Sequence, residues 1–94
     1  MNLAWLTAFR KVADSGSFTQ AAEAMFVSQP AISQQIQHLE RFFSAKLIRM
    51  AGRKLELTEA GRQVYELAHL LEGEIESTRR SIQRVDSHKH QLVQ

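Results

Sequence analysis

Apolar side chains recur at Leu3, Leu6, Phe9, Val12 and Ala13, a spacing that gathers them on one face of a helix. The pattern stops at Ser15-Gly16, where glycine can adopt the left-handed backbone that ends a helix. A first helix is therefore predicted up to this point. Ser17-Phe18-Thr19-Gln20 then has the form of a capping box, in which the Ser17 hydroxyl accepts from the Gln20 amide and the Gln20 side chain returns to Ser17. It opens a short second helix, predicted over Phe18 to Met25. After a brief connection at Phe26 and Val27, Ser28 is a good N-cap and Pro30 falls in the first turn, where its missing donor costs nothing. The third helix is expected from about Gln29 to Phe43, with Ile32, Ile36, Leu39 and Phe43 as its apolar face.

Two helices joined by a turn of about three or four residues, the second capped by serine and proline, follow the helix-turn-helix plan. In that plan the second helix lays its N-terminal turns against base edges in the major groove. Gln29, Ala31, Ser33 and Gln34 are then placed to read sequence, with Ser28, Pro30 and Gln37 beside them in the same candidate DNA-binding set. Glutamine can bond bidentately to adenine, serine to several bases, and alanine can touch a thymine methyl, so none of these contacts needs a charge. A solvated polar face would account for Gln34, Gln35 and Gln37 equally well if the turn did not precede them.

Lys46 to Met50 and Lys54 to Leu57 flank Ala51-Gly52-Arg53, which predicts a short hairpin with Gly52 at positive φ. Such a hairpin is a wing, and Arg53 at its tip would meet the phosphate backbone or minor groove of a duplex. From Thr58, a fitting N-cap, one long helix is predicted to at least Val85. Val64, Ala68, Leu71, Ile75, Thr78, Ile82 and Val85 are separated alternately by four and three residues, the repeat of a coiled-coil seam. The expected fold is mainly α: a winged helix-turn-helix over residues 1–58, then a dimerising linker helix over 59–94. The early positions Val64, Leu67 and Ala68 have an alternative, packing back onto the domain; Ile82 lies too far along the helix for that.

Composition changes this picture little. Ninety-four residues allow one small domain, and 44% hydrophobic with 23% charged residues is ordinary globular composition. No cysteine is present, and the four histidines lack metal-ligand partners at useful spacing, so neither a metal nor a cofactor is expected. Met1 to Arg10 do not resemble a signal peptide and no apolar run approaches membrane-spanning length, so a cytoplasmic protein without membrane contact is expected. Charge is more informative in its distribution. Residues 41–62 hold six basic side chains against two acidic ones, whereas residues 63–94 hold four against five. A basic body with a near-neutral tail suits a body that meets a polyanion and a tail that meets protein.

Three stretches at ungapped spacing, Gly16-Ser17-Phe18-Thr19-Gln20-Ala21-Ala22, Val27-Ser28-Gln29-Pro30-Ala31-Ile32-Ser33 and Leu57-Thr58-Glu59-Ala60-Gly61, resemble the LysR-type transcription regulators. The resemblance covers residues 1 to about 85. It implies a helix-turn-helix motif at residues 18–37, a linker helix that dimerises, and a C-terminal domain absent from this chain that senses a small-molecule effector. It further implies homodimers, or tetramers of the full-length protein, that bind partly palindromic promoter sites in double-stranded DNA and activate or repress. The chain departs from the family at Gln34, where members often carry arginine, and at Arg49-Met50, where an acid-arginine pair is common. Adjacent strand residues face opposite ways, so Arg53 is the favoured wing cation, ahead of Arg49. Rival readings are a winged helix of another regulator family, a protein-interaction module built on the heptads alone, and an enzyme. The last is weakest, because His38, His69, His88 and His90 have no nucleophile, carboxylate cluster or phosphate loop at catalytic spacing.

Overall fold

A computed structural model describes residues 1–93, with side-chain surroundings through Asp86; His88 and His90 lie outside the described side chains. Four helices and one hairpin succeed one another: α1 (Leu3–Ser15), α2 (Phe18–Met25), α3 (Gln29–Phe43), β1 (Ile48–Ala51), β2 (Lys54–Leu57) and α4 (Glu59–Val93). Each helix ends where local chemistry ends it. The Asn2 side chain caps α1 by accepting from the Ala4 amide at 2.8 Å, and Gly16 closes it at φ 69°. The first half of the expected capping box at α2 forms, with Ser17 Oγ accepting from the Gln20 amide at 3.1 Å. The reciprocal half does not, because Ser15 Oγ accepts from the Ser17 amide at 3.2 Å in place of the Gln20 side chain.

Two helix ends are made without glycine. At the end of α2, Phe26 takes φ 57°, its amide bonds the Glu23 carbonyl and the Val27 amide bonds that of Ala22. At the end of α3, Ser44 at φ 52° repeats the arrangement onto Arg41 and Glu40. Both are Schellman motifs carrying a side chain where glycine is usual. Phe26 is 94% exposed.

The core is assembled from one face of each helix: Leu6, Ala8, Phe9 and Val12 of α1, Ala21 and Ala22 of α2, Ile32, Ile36 and Leu39 of α3, with Leu47, Val64 and Ala68. Leu3, expected on the inner face of α1, is exposed at its first turn. The apolar spacing of α3 thus turns its opposite face, with Gln29, Gln34 and Gln37, to solvent. The hairpin is antiparallel, with Ile48 opposite Leu57 and Ala51 opposite Lys54. Ala51 therefore belongs to the strand, and the loop is the two residues Gly52-Arg53. Glycine at the first loop position with φ 65° is the residue pattern of a type II′ turn, whose twist matches that of the strands.

Thr58 ties the hairpin base to α4. Its amide bonds the Leu47 carbonyl at 3.0 Å, its hydroxyl donates to the Lys46 carbonyl at 2.6 Å, and the same oxygen accepts from the Gly61 amide at 3.0 Å. Farther along, α4 lies against α1. Arg10 bridges Asp14 at 3.4 Å and Glu72, and the Tyr65 hydroxyl donates to Asp14 at 2.5 Å.

This docking corrects the expected seam. Val64 and Ala68 are 5% and 0% exposed because α1 and the rest of the body already cover them, so their side chains are not free for a partner helix. Leu71 is half-buried against the same core. Ile75, Thr78, Ile82 and Val85 remain exposed beyond it, and only this distal part of the stripe is uncovered.

Candidate nucleic-acid interface

Helix α3 begins at a well-defined point, because Ser28 Oγ accepts from the Ala31 amide at 3.2 Å and Pro30 stiffens the turn. Gln29, Pro30, Ser33, Gln34 and Gln37 then line one shallow, open groove along its outer face. Five of the seven expected α3 side chains are thereby brought together. Ser28 is exposed but its oxygen is engaged as the cap, and Ala31 is half-buried and does not line the groove. Every lining side chain is neutral, so what the groove offers is hydrogen bonds and apolar contact in place of charge.

The cations flank it. A second cleft, between α3 and the wing, is lined by Phe18, Ser33, Ile36, Gln37, Glu40, Lys46, Ile48, Arg49 and Met50, so Ser33 and Gln37 belong to both. Arg49 stands directly opposite Glu56 on the neighbouring strand and pairs with it at 3.4 Å. Arg53 is exposed at the hairpin tip and makes no ion pair among the described residues. It lines neither cleft. Glu40, which lines the second cleft, is largely covered; one of its oxygens accepts from the Leu47 amide at 2.9 Å and the other lies 3.9 Å from Lys46 Nζ. An amide-rich groove rimmed by lysine and arginine has the two components of duplex recognition, base contacts that specify and phosphate contacts that position.

Two residues of this surface escaped the sequence reading. Thr19, in the first turn of α2, donates from Oγ1 to Oε1 of Gln29 at 3.2 Å, joining the two helices of the motif at the surface. Lys46 stands 84% exposed beside the C-terminal turns of α3. Its place in the basic segment was visible; that its Nζ lies 3.9 Å from Glu40 of α3 was not disclosed by spacing along the chain. His38 has a structural setting: its ring stacks on Trp5 at 5.1 Å between centroids, and the Arg41 guanidinium donates to its Nδ1 at 2.6 Å.

Residues 3–62, the winged body and the first residues of α4, match the family described as bacterial regulatory helix-turn-helix protein, lysR family. The chain belongs to the LysR family. Its relatives in that family include a helix-turn-helix transcriptional regulator of the ibpB-leuC intergenic region of Azotobacter vinelandii, 40% identical over 86 residues covering 92% of this chain and 60% of the relative. The regulator BudR of Raoultella terrigena is 48% identical over 65 residues, 69% of this chain and 22% of BudR. The chain therefore spans 60% of the length of the first relative and less than a quarter of the second. Among solved LysR structures, the BenM DNA-binding domain in complex with catB site 1 DNA superposes with a TM-score of 0.87 at 31% identity, covering 93% of this chain and 97% of that one. The CbnR DNA-binding domain in complex with DNA gives 0.77 at 36% identity, covering 90% and 99%. The body is thus a LysR-type winged helix-turn-helix DNA-binding domain, and among the described residues no helix is long and apolar enough to cross a membrane.

Proposed function

We propose that this chain reads double-stranded DNA through the outer face of α3, as the DNA-binding part of a cytoplasmic, dimeric transcription regulator. The observation that carries this reading is the single open groove shared by Gln29, Pro30, Ser33, Gln34 and Gln37, neutral along its length and adjoined by a second cleft that carries Lys46 and Arg49. Amide and hydroxyl groups on a helix that fits the major groove discriminate bases, and the rim cations hold the phosphates on either side. The resemblance to BenM and CbnR domains solved on DNA supports the same assignment. Dimerisation rests on the exposed distal stripe Ile75, Thr78, Ile82 and Val85, which a second copy of α4 would cover. Two recognition helices would then address half-sites about one DNA turn, roughly 34 Å, or a multiple of it apart, in a partial palindrome. In a longer protein, tetramer formation and control by a small-molecule effector would belong to a further domain.

The test uses duplexes selected by the wild-type chain from a random pool. Gln29→Ala or Ser33→Ala should relax base preference on these, each lost base contact removing about 1–3 kcal/mol of discrimination, while the fold and the affinity for random duplex stay near wild type. Equal losses on selected and random duplex would assign these side chains to phosphate contacts and sink the reading.

A further inference from the structure

Gln29 is the first residue of α3 and lies at the end of the groove nearest α2. A glutamine free in solvent presents two faces to a base edge, an amide oxygen that accepts and an amide nitrogen that donates. Adenine engages both, through its N6 amino group and N7. In this structure the oxygen is already engaged, because Thr19 Oγ1 donates to Gln29 Oε1 at 3.2 Å across the turn of the motif. Thr19 is well placed to hold that bond. It sits in the first turn of α2, whose start is fixed by the Ser17 cap, and its hydroxyl makes no other hydrogen bond among the described residues. Gln29 is equally constrained, since Ser28 caps α3 one residue before it and Pro30 fixes the backbone one residue after.

We infer that Thr19 is a positioning residue that sets which base Gln29 reads. With Oε1 drawn toward α2, the Nε2 hydrogens are the face turned to the groove, and Gln29 is biased from an adenine reader toward a reader of bare acceptors. The major-groove edges that supply these are N7 and O6 of guanine and O4 of thymine. This inference rests on the proposal that α3 reads bases, and it adds a direction to it: guanine or thymine at the base pair facing Gln29, in preference to adenine or cytosine.

The experiment measures relative affinities for the four base pairs at every position of a selected duplex, for wild type, Gln29→Ala, Thr19→Val and Thr19→Ser. Gln29→Ala locates the base pair that Gln29 faces, as the position where preference is lost. At that position the wild type should favour guanine or thymine. Thr19→Val keeps the shape and removes the hydroxyl, and should raise the adenine-to-guanine affinity ratio there by about fivefold or more, the lower end of what one bidentate contact supplies. Thr19→Ser keeps the hydroxyl and should retain the wild-type ratio. A purely structural or phosphate-binding Thr19 would instead lower affinity for all four bases alike and leave the ratio unmoved, which overturns the inference. A wild-type preference for adenine or cytosine at the Gln29 position overturns it as well, since each of those bases offers an amino donor there. If Gln29→Ala changes no base preference anywhere, the failure lies with the base-reading proposal, a result distinguishable from the failure of Thr19→Val alone.

Discussion

A side-chain carbon on Gly61 would fall 2.0 Å from the carbonyl oxygen of Leu47, far inside contact distance. The first turn of α4 rests on the peptide that leads into the wing, and the Thr58 amide bonds that same carbonyl. Gly61→Ala should therefore push the helix off its seat and lower stability by about 1–3 kcal/mol or more. A domain of this size loses roughly 4–8 °C of melting temperature per kcal/mol. Gly73 on the same helix has open space around it, and Gly73→Ala should raise stability by about 0.5–1 kcal/mol through the gain in helix propensity. Calorimetry of the pair checks both signs; equal effects would mean that α4 does not approach Leu47 closely.

Ser44 holds a left-handed backbone at the end of α3, with φ 52°. Glycine has no such steric cost there, although it adds freedom to the unfolded chain. Ser44→Gly should stabilise the domain by up to about 1 kcal/mol, read as a higher melting temperature with DNA affinity unchanged. A lower melting temperature would show that the serine side chain contributes a contact worth more than the strain.

The helices were legible because their ends are local. Ser17, Ser28 and Gly16 announce them within a few residues, and the observed bounds of α2 and α3 agree with the spacing. What was not legible depends on neighbours distant in sequence. The four-three spacing of α4 runs unbroken from Val64 to Val85, and nothing in residue type separates the part covered by α1 from the part left exposed. Only the packing divides it, between Ala68 and Ile75. Likewise the competition between Ser15 and Gln20 for the Ser17 amide, and the reach of Thr19 to Gln29, are decided by geometry at turns where several partners were equally near in sequence.

Tyr65 is the chain's only tyrosine, so its ionisation can be followed directly by phenolate absorbance. Its hydrogen bond to Asp14, then desolvation and the Asp14 charge, raise its pKa above the ordinary phenol value, and Arg10 partly opposes this. A raised pKa means that the folded state holds the proton more tightly than the unfolded state. The associated stability is present below the unfolded value, about pH 10, and is lost as pH rises through the folded one. Asp14→Asn should lower the Tyr65 midpoint, and Tyr65→Phe should flatten the decline of melting temperature in that alkaline range. A midpoint unmoved by Asp14→Asn would show that the carboxylate does not hold the phenol.

Arg53 and Arg49 should differ in their effect on DNA affinity. Arg53→Ala should weaken binding across most duplex sequences and reduce the salt slope by about one unit, as loss of a single phosphate contact does. Arg49 is shared with Glu56, so Arg49→Ala should change the slope less, and Glu56→Gln should steepen it by releasing the guanidinium. Titrations at several salt concentrations measure all three; an unchanged slope for Arg53→Ala would remove the wing tip from the interface.

For the proposed self-association surface, Ile75 and Ile82 are the positions to test, since they stand 47% and 54% exposed in the single chain. Aspartate at both should leave the melting of the winged body near wild type while placing charges in the proposed seam, where desolvation is costly. Sedimentation should show a monomer, and preference for a full palindrome over a half-site should disappear. A double variant that stays dimeric with that preference intact would exclude the distal stripe. Val64→Asp is not a substitute, because it would disrupt the chain's own core.

Because one continuous helix is fastened to the body at Val64 and Ala68 and bare from Ile75 onward, its winding acts as an angular gauge between the two. Each residue of α-helix turns the chain by about 100° and advances it about 1.5 Å. One residue inserted after Gly73 would swing the bare stripe about a quarter-circle around the axis, aiming the partner's DNA-reading surface away from the duplex. Seven residues inserted there would nearly restore the bearing, within about 20°, while lengthening the arm by about 10.5 Å. In the proposed dimer, the tolerated operator geometries of such insertions would rise and fall with helical phase, and the few residues between Ala68 and Ile75 would set how two operator halves must be oriented as well as how far apart they lie.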